Sequence, residues 1–157
     1  MARQQFSTFF VGALFCGIEV EKVQEVLRHQ EMTRAPLAPA AVRGLMNLRG
    51  QIVTAVDLRC SLGLDDRRDD ELPMNVIVRT RDGVVSLLVD EIRDVVEVEE
   101  TTFEHPPGTL EPAARSMIRG VHKLKDRLMH VLDTETVLRA IRADRAPLGV
   151  RRRADAA

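Results

Sequence analysis

The chain has 157 residues, 45% of them apolar and 30% charged, with a formal net charge of −1. That length suits one domain or two small halves sharing a core, and the near-neutral balance argues against nucleic-acid binding, which calls for a basic stripe. Five Phe, with neither Trp nor Tyr, leave little from which to build an aromatic peptide groove or a base-stacking platform.

No apolar run nears the roughly 20 residues that a membrane-spanning helix needs, and the N-terminus lacks a basic patch followed by an apolar stretch. A cytoplasmic protein is expected. Cys16 and Cys60, only two and far apart, read as structural thiols rather than as a disulfide framework or a zinc site.

Residues 5–11 alternate loosely, Gly12-Ala13 breaks the run and 14–20 resume it, which is a hairpin pattern. Residues 21–27 put Val23, Val26 and Leu27 on one helical face, so a helical turn and an irregular strand both fit. A proline-studded loop at 35–39 leads through an alanine-rich stretch to Gly44. Residues 45–48 and 51–56 read as strands joined by the tight turn Arg49-Gly50. The second is apolar at both parities apart from Thr54, the pattern of a strand with core on both faces. Asp57 is placed to cap the short helical pattern that follows. Leu62-Gly63-Leu64 closes a first half, and the charged run 65–71 reads as a linker.

A second hairpin follows, 74–80 and 84–89 about Asp82-Gly83, a dipeptide that strongly favours such turns. Pro106-Pro107-Gly108 echoes the earlier proline loop and again leads to a glycine, Gly120. Two further strands flank Lys125-Asp126, Asp133 is a second cap candidate and 134–143 reads as a closing helix. Residues 146–157, with Arg151-Arg152-Arg153, are expected to form a flexible tail.

The chain thus states its central pattern twice. Gly44-Leu45-Met46-Asn47-Leu48-Arg49-Gly50-Gln51-Ile52-Val53-Thr54-Ala55-Val56-Asp57 aligns without a gap on Gly120 through Asp133, at an offset of 76. Residues 18–27 align on 87–96 at an offset of 69, and one insertion of seven residues around 108–114 reconciles the two. The period is too long for a solenoid unit, so two related subdomains are expected. Short strands with regularly spaced turns point to two small antiparallel barrels, which also remove exposed sheet edges. The expected organisation is one domain over 1–145: subdomain one at about 6–64, a linker at about 65–72 and subdomain two at about 73–140. The seam between the halves is the first place to look for function.

The run from Gly44 to Asp57, continued by Leu58-Arg59, closely resembles the signature of the chemotaxis coupling protein (CheW) family. Gly17-Ile18-Glu19-Val20-Glu21-Lys22-Val23-Gln24-Glu25-Val26, Leu87-Leu88-Val89-Asp90-Glu91-Ile92-Arg93-Asp94-Val95 and Ile118-Arg119-Gly120-Val121 are similar to three further blocks of it, in the same order. The resemblance covers roughly residues 6–140. It implies a mainly β fold of two tandem five-stranded SH3-like barrels with short helices. It also implies a non-catalytic role, bridging the cytoplasmic tip of a chemoreceptor helical bundle to the regulatory domain of a CheA-type histidine kinase. Ring assembly in membrane-associated receptor arrays is a further family trait. One departure is Thr54, where the family often has proline.

Arg49 is the leading candidate, because a guanidinium on a rigid hairpin turn can pair a carboxylate with defined orientation, and the family's matching arginine contributes to coupling. Asn47 and Gly50 join this coupling patch mainly by shaping the turn, and Arg43 is placed by the groove that receives the receptor. The same resemblance implies that Val23 and Glu25 face the kinase, where a small apolar contact with a flanking charge would fix register. Asp57 and Asp90 read as structural carboxylates. His29, His105, His122 and His130 share no metal spacing, and His122 and His130 are expected at ordinary sheet positions. With no phosphate loop, nucleophile elbow or paired-histidine ligand set, neither an enzyme nor a cofactor is expected. A detached kinase-binding module without receptor contact is the alternative reading, and a nucleic-acid-binding barrel is disfavoured by charge and by aromatic scarcity.

Overall fold

Among the described residues, short runs rich in β-branched residues, punctuated by glycine turns, fold as eleven strands, with three α-helices and two 3-10 turns. The computed structural model describes residues 2–145; the expected tail at 146–157 lies outside the described residues. The strands are β1 (Arg3–Val11), β2 (Leu14–Glu19), β3 (Val23–Leu27), β4 (Val42–Leu48), β5 (Gln51–Asp57), β6 (Met74–Thr80), β7 (Gly83–Val89), β8 (Glu91–Glu99), β9 (Phe103–Glu104), β10 (Ile118–Lys123) and β11 (Leu128–Leu132). The helices are α1 (Leu58–Ser61), α2 (Pro112–Met117) and α3 (Thr134–Arg145). Residues 21–27, open between two readings in the sequence, form a 3-10 turn at Val20–Lys22 followed by β3. No helix among the described residues is long and apolar enough to cross a membrane.

The mainly β, two-sheet architecture matches expectation, but the sheets do not follow the halves of the chain. One sheet runs β3-β6-β7-β5-β4 and the other β8-β1-β2-β11-β10-β9. Each half therefore gives its opening hairpin to the sheet of the other half, so the contiguous units at 6–64 and 73–140 are not the packing units. The exchange is reciprocal. In the first sheet Thr54 and Ala55 pair in parallel with Val85 and Ser86. In the second, His130 and Val131 pair in parallel with Cys16 and Gly17. The offsets of 76 and 69 thus turn up as two copies of one parallel ladder with the halves interchanged. The two-residue β9 makes the second sheet six-stranded, and its counterpart in the first is the isolated Thr33–Leu45 bridge.

The repeated glycines mark where that connector crosses the strand. A Cβ on Gly44 would stand 2.5 Å from the Thr33 carbonyl oxygen, and one on Gly120 would stand 2.5 Å from that of Glu104. Register shifts sit at the same repeat position, between Val42 and Gly44 and between Ile118 and Gly120.

Exchange also makes the seam the main core. Phe9, Cys16 and Ile18 of the second sheet pack in one cluster with Val56, Leu87 and Val89 of the first. Burial pushes the Cys16 thiol up to about 12, which keeps it neutral. Smaller clusters lie inside each sheet, Met46, Val53 and Ile77 in one and Phe6, Met129 and Val131 in the other. β5 is buried on both faces only from Ala55 onward; Ile52, at its start, is 63% exposed. Asp57 caps α1 by accepting from Arg59 N–H and Asp133 caps α3 by accepting from Thr136 N–H. α3 reaches across to the other sheet, where Arg142 pairs with Asp82 on the β6–β7 turn at 2.8 Å.

His122 and His130 do occupy sheet positions, in β10 and β11. The Thr102 hydroxyl donates to the Glu99 carbonyl, so His122 Nδ1–H donates to Thr102 Oγ1 at 2.8 Å. The ring is sealed against Phe6 and Phe103. Burial, and behind it the charge of Arg119, hold this imidazole below its ordinary value of 6.5.

Two outcomes follow from these contacts. Gly120→Ala is expected to cost about 1–3 kcal/mol, because the Glu104 backbone cannot move without breaking its ladder to β10; a drop in urea midpoint at unchanged slope checks it. Because folding depresses the His122 pKa, stability is full above pH 6.5 and declines as the pH falls below it. Urea titrations at pH 7 and pH 5 should show that decline, and His122→Gln should flatten it.

Candidate functional site

The β4–β5 turn is a two-residue hairpin in which both central residues have positive φ, Arg49 at 51° and Gly50 at 84°. Such primed turns match the twist of paired strands and favour Asn-Gly. Asn47 supports this one from the side, its Oδ1 accepting from Gly50 N–H at 2.8 Å. A bulky side chain at positive φ costs on the order of 1–3 kcal/mol. The turn aims the Arg49 guanidinium at β3, where Nη2 lies 2.6 Å from each carboxylate oxygen of Glu25. One nitrogen thus holds the carboxylate, and neither Nε nor Nη1 of the fork has a partner within the described residues. The Arg49 side chain is 64% exposed and that of Glu25 22%.

The balance of energies bears on what this pair is for. An exposed ion pair is worth about 0–1 kcal/mol, which does not offset the strain of arginine at this position. Stability alone would place asparagine there. A strained, solvent-facing cation on a rigid turn is the kind of feature kept for contact with something else. Apolar surface flanks it, with Ile52 on the outgoing strand and Val26 beside Glu25 both exposed.

The structure therefore joins Arg49, Gly50, Asn47 and Glu25 in one constellation across the β3–β4 side of the first sheet. Val23 is half-buried and packs against the seam core, two residues from Glu25. Arg43 sits elsewhere. Its Nε donates to Asp57 at 2.9 Å and its Nη2 to Asp66 at 2.8 Å, so its guanidinium is engaged at the end of β5. The seam is occupied by core, and Arg49 meets β3 within its own sheet.

That second cluster is what sequence reasoning missed. The charged run expected as a linker is held down by Arg67, whose side chain is 8% exposed. Arg67 Nε donates to Asp90 at 2.8 Å and its two Nη groups donate to Asp57 at 3.1 and 3.2 Å. Asp90 also accepts from Arg59 and, at 2.5 Å, from Gly12 N–H in the β1–β2 turn of the other sheet. Burial alone would raise the Asp90 carboxyl; hydrogen bonds from Arg59, Gly12 and Arg67 override it and hold it below the usual carboxylate range. The segment is a strap that pins both sheets. The available signal was the coincidence of arginines at 59 and 67 with aspartates at 57 and 90, two of which end strands.

The family model for the CheW-like domain matches residues 5–142. The chain belongs to the CheW-like domain family. Among its curated relatives, the chemotaxis protein CheW of Bacillus subtilis is 29% identical over 135 residues, 86% of each chain. The chemotaxis protein CheW of Helicobacter pylori is 27% identical over 135 residues, covering 86% of this chain and 81% of its own. A solved structure, the scaffolding protein TtCheW of Thermoanaerobacter tengcongensis, superposes with a TM-score of 0.74 at 24% identity, over 83% of this chain and 89% of its own, and so shares the fold. The CheW-like fold accounts for the two sheets, and within it the Arg49–Glu25 constellation is an exposed, strained feature.

Removing Arg67 leaves the buried Asp57 carboxylate and the part-buried Asp90 carboxylate short of a partner. Arg67→Ala is expected to cost about 3 kcal/mol, the lower range for breaking a buried pair. Thermal unfolding at neutral pH checks it, with Arg68→Ala as an exposed control that shifts the midpoint little.

Proposed function

We propose that this protein is a non-catalytic adaptor of a chemosensory system, linking the cytoplasmic helical tip of a chemoreceptor to the regulatory domain of a CheA-type histidine kinase. Membership of the CheW-like family across residues 5–142 supports the class. The observation that carries the reading to residues is the outward Arg49 guanidinium, held at positive φ by its turn and gripped through one nitrogen by Glu25. The kinase domain docks on this side of the first sheet, with Val23 and Glu25 as contacts and Asn47 and Gly50 presenting the turn. The receptor helix binds alongside, and Arg43 acts by fixing the strap behind that surface. Binding both partners on one rigid body raises their effective concentration for each other. The adaptor works at the cytoplasmic side of membrane-bound receptor arrays and needs no cofactor.

The decisive experiment is a three-component capture with the full chain, a receptor cytoplasmic fragment and the kinase regulatory domain. Retention of both partners together supports the adaptor; retention of the kinase alone identifies a detached regulatory module instead. Arg49→Asn suits the turn better and is expected to unfold at the same or a slightly higher temperature. It should nevertheless weaken capture at least tenfold, the effect of about 1.4 kcal/mol at the contact. Unaltered capture would remove Arg49 from the interface.

A further inference from the structure

Among the described residues the chain crosses from one sheet to the other twice, between β2 and β3 and between β7 and β8. Each crossing carries a carboxylate held by arginine. At the second it is Asp90, which accepts from Arg59, Arg67 and Gly12 N–H. At the first it is Glu19, the last residue of β2, whose side chain is 7% exposed. Arg119 Nη1 donates to Glu19 Oε2 at 3.1 Å, and Lys22 Nζ lies 3.3 Å from the same oxygen. Glu19 Oε1 is buried with no hydrogen-bond partner. After the three residues of the 3-10 turn the chain is already in β3 of the other sheet.

Arg119 is aimed by a bulge. It is the extra residue at the register shift between Ile118 and Gly120 of β10, and a bulge turns a side chain out of the regular alternation. Its repeat partner Arg43 occupies the shift between Val42 and Gly44, and reaches the other crossing through Asp57 and Arg67. From the first sheet, Arg79 Nη1 donates to the Glu21 and Val23 carbonyls at 3.0 and 3.2 Å. The first crossing is therefore clasped from both sides, by Arg119 of β10 and Arg79 of β6. β3 has a register shift of its own between Val23 and Glu25, so where the strand starts sets where the Glu25 carboxylate stands against Arg49. We propose that Arg119 is a positioning residue for the kinase-facing edge: through Glu19 it fixes the start of β3 and hence the Arg49–Glu25 pair, with neither of which it shares a hydrogen bond or ion pair among the described residues. The second half of the chain thus sets the docking edge of the first. The clasp on Glu19 is lighter than that on Asp90, since one carboxylate oxygen is unmatched, so the loss of Arg119 is not made good by other donors. The proposal rests on the kinase docking at this edge, but its first readout needs no partner.

The test is amide hydrogen exchange on the full chain, followed by capture of the kinase regulatory domain. Arg119→Ala should speed exchange of Val23 to Leu27 about tenfold, the size of one lost hydrogen bond to a charged group. It should leave Val121 to Lys123, next to it in β10, at the wild-type rate; a residue that merely braced β10 would give the reverse. Glu19→Gln should speed the same β3 amides, and Arg119→Ala added to it should speed them no further, since the arginine acts through that carboxylate. Capture by Arg119→Ala should weaken by up to about tenfold. Exchange in β3 at the wild-type rate, a rise spread evenly over β10 and β11, or a double variant faster than Glu19→Gln alone would each overturn the inference. So would capture by Arg119→Ala equal to that of the wild type, an outcome that leaves the adaptor reading standing. A wild type that captures no kinase domain removes the adaptor reading, and the exchange rates then decide whether Arg119 holds the edge.

Discussion

Parallel pairing between β5 and β7, and its repeat-related copy between β11 and β2, is the constraint on which the molecule depends. Parallel strands need a long crossover rather than a tight turn, and here the crossover is the fold itself, since each half must reach into the other to complete its sheet. Neither half keeps its own hairpin, so neither has a core of its own beyond a few residues. The largest cluster lies at the seam, where Phe9, Ile18, Val56 and Leu87 exclude water from both sheets at once. The seam that duplication makes conspicuous is therefore a structural centre.

The strap enforces the same arrangement electrostatically. Taking Asp57 and Arg67 out of water is costly, and their mutual attraction offsets this only if most remaining donors and acceptors are matched. They are: Asp57 accepts from Arg43, Arg59 N–H and Arg67, and Asp90 from Arg59, Arg67 and Gly12 N–H. The partner from Gly12 lies in the turn of the exchanged hairpin, so the network locks that hairpin into place. Apolar residues of similar volume could match the stability but could not select this one arrangement of strap, turn and strand end.

The sequence made the duplication, the hairpins, both capping aspartates and the arginine turn legible, because each is written in local spacing or in a self-alignment. It hid the exchange. Offsets of 76 and 69 are equally compatible with two separate sheets and with two interchanged ones, since alignment reports which residues correspond and not which ones touch. The double apolar parity of residues 52–56 hinted at core on both faces, yet Ile52 is exposed: parity cannot distinguish a second core from an exposed apolar face. The charged run 65–71 misled for a related reason. Composition reads it as solvated, while one residue in it, Arg67, finds two carboxylates brought from positions 57 and 90 by the tertiary fold. In the site, spacing placed Arg49 on a turn, but its contact with Glu25 spans two strands that only the rolled first sheet brings together. Arg43 shows the converse, since its place before Gly44 suggested a surface role and the fold set it against Asp57.

The seam is filled with core, and the connection between the two halves of the chain is pinned to both sheets at Arg67. What such a body can transmit is position. The β4–β5 turn and the β3 edge keep a fixed relation to the second sheet, since the seam core and the Gly12–Asp90 contact tie the two sheets together. Duplication followed by divergence suits that task. The shared ladder preserves the frame, while the repeat-related turns are free to differ, Arg49-Gly50 at positive φ in one and Lys125-Asp126 in the other. A change of one or two residues at such a turn alters charge and shape without touching the core beneath it.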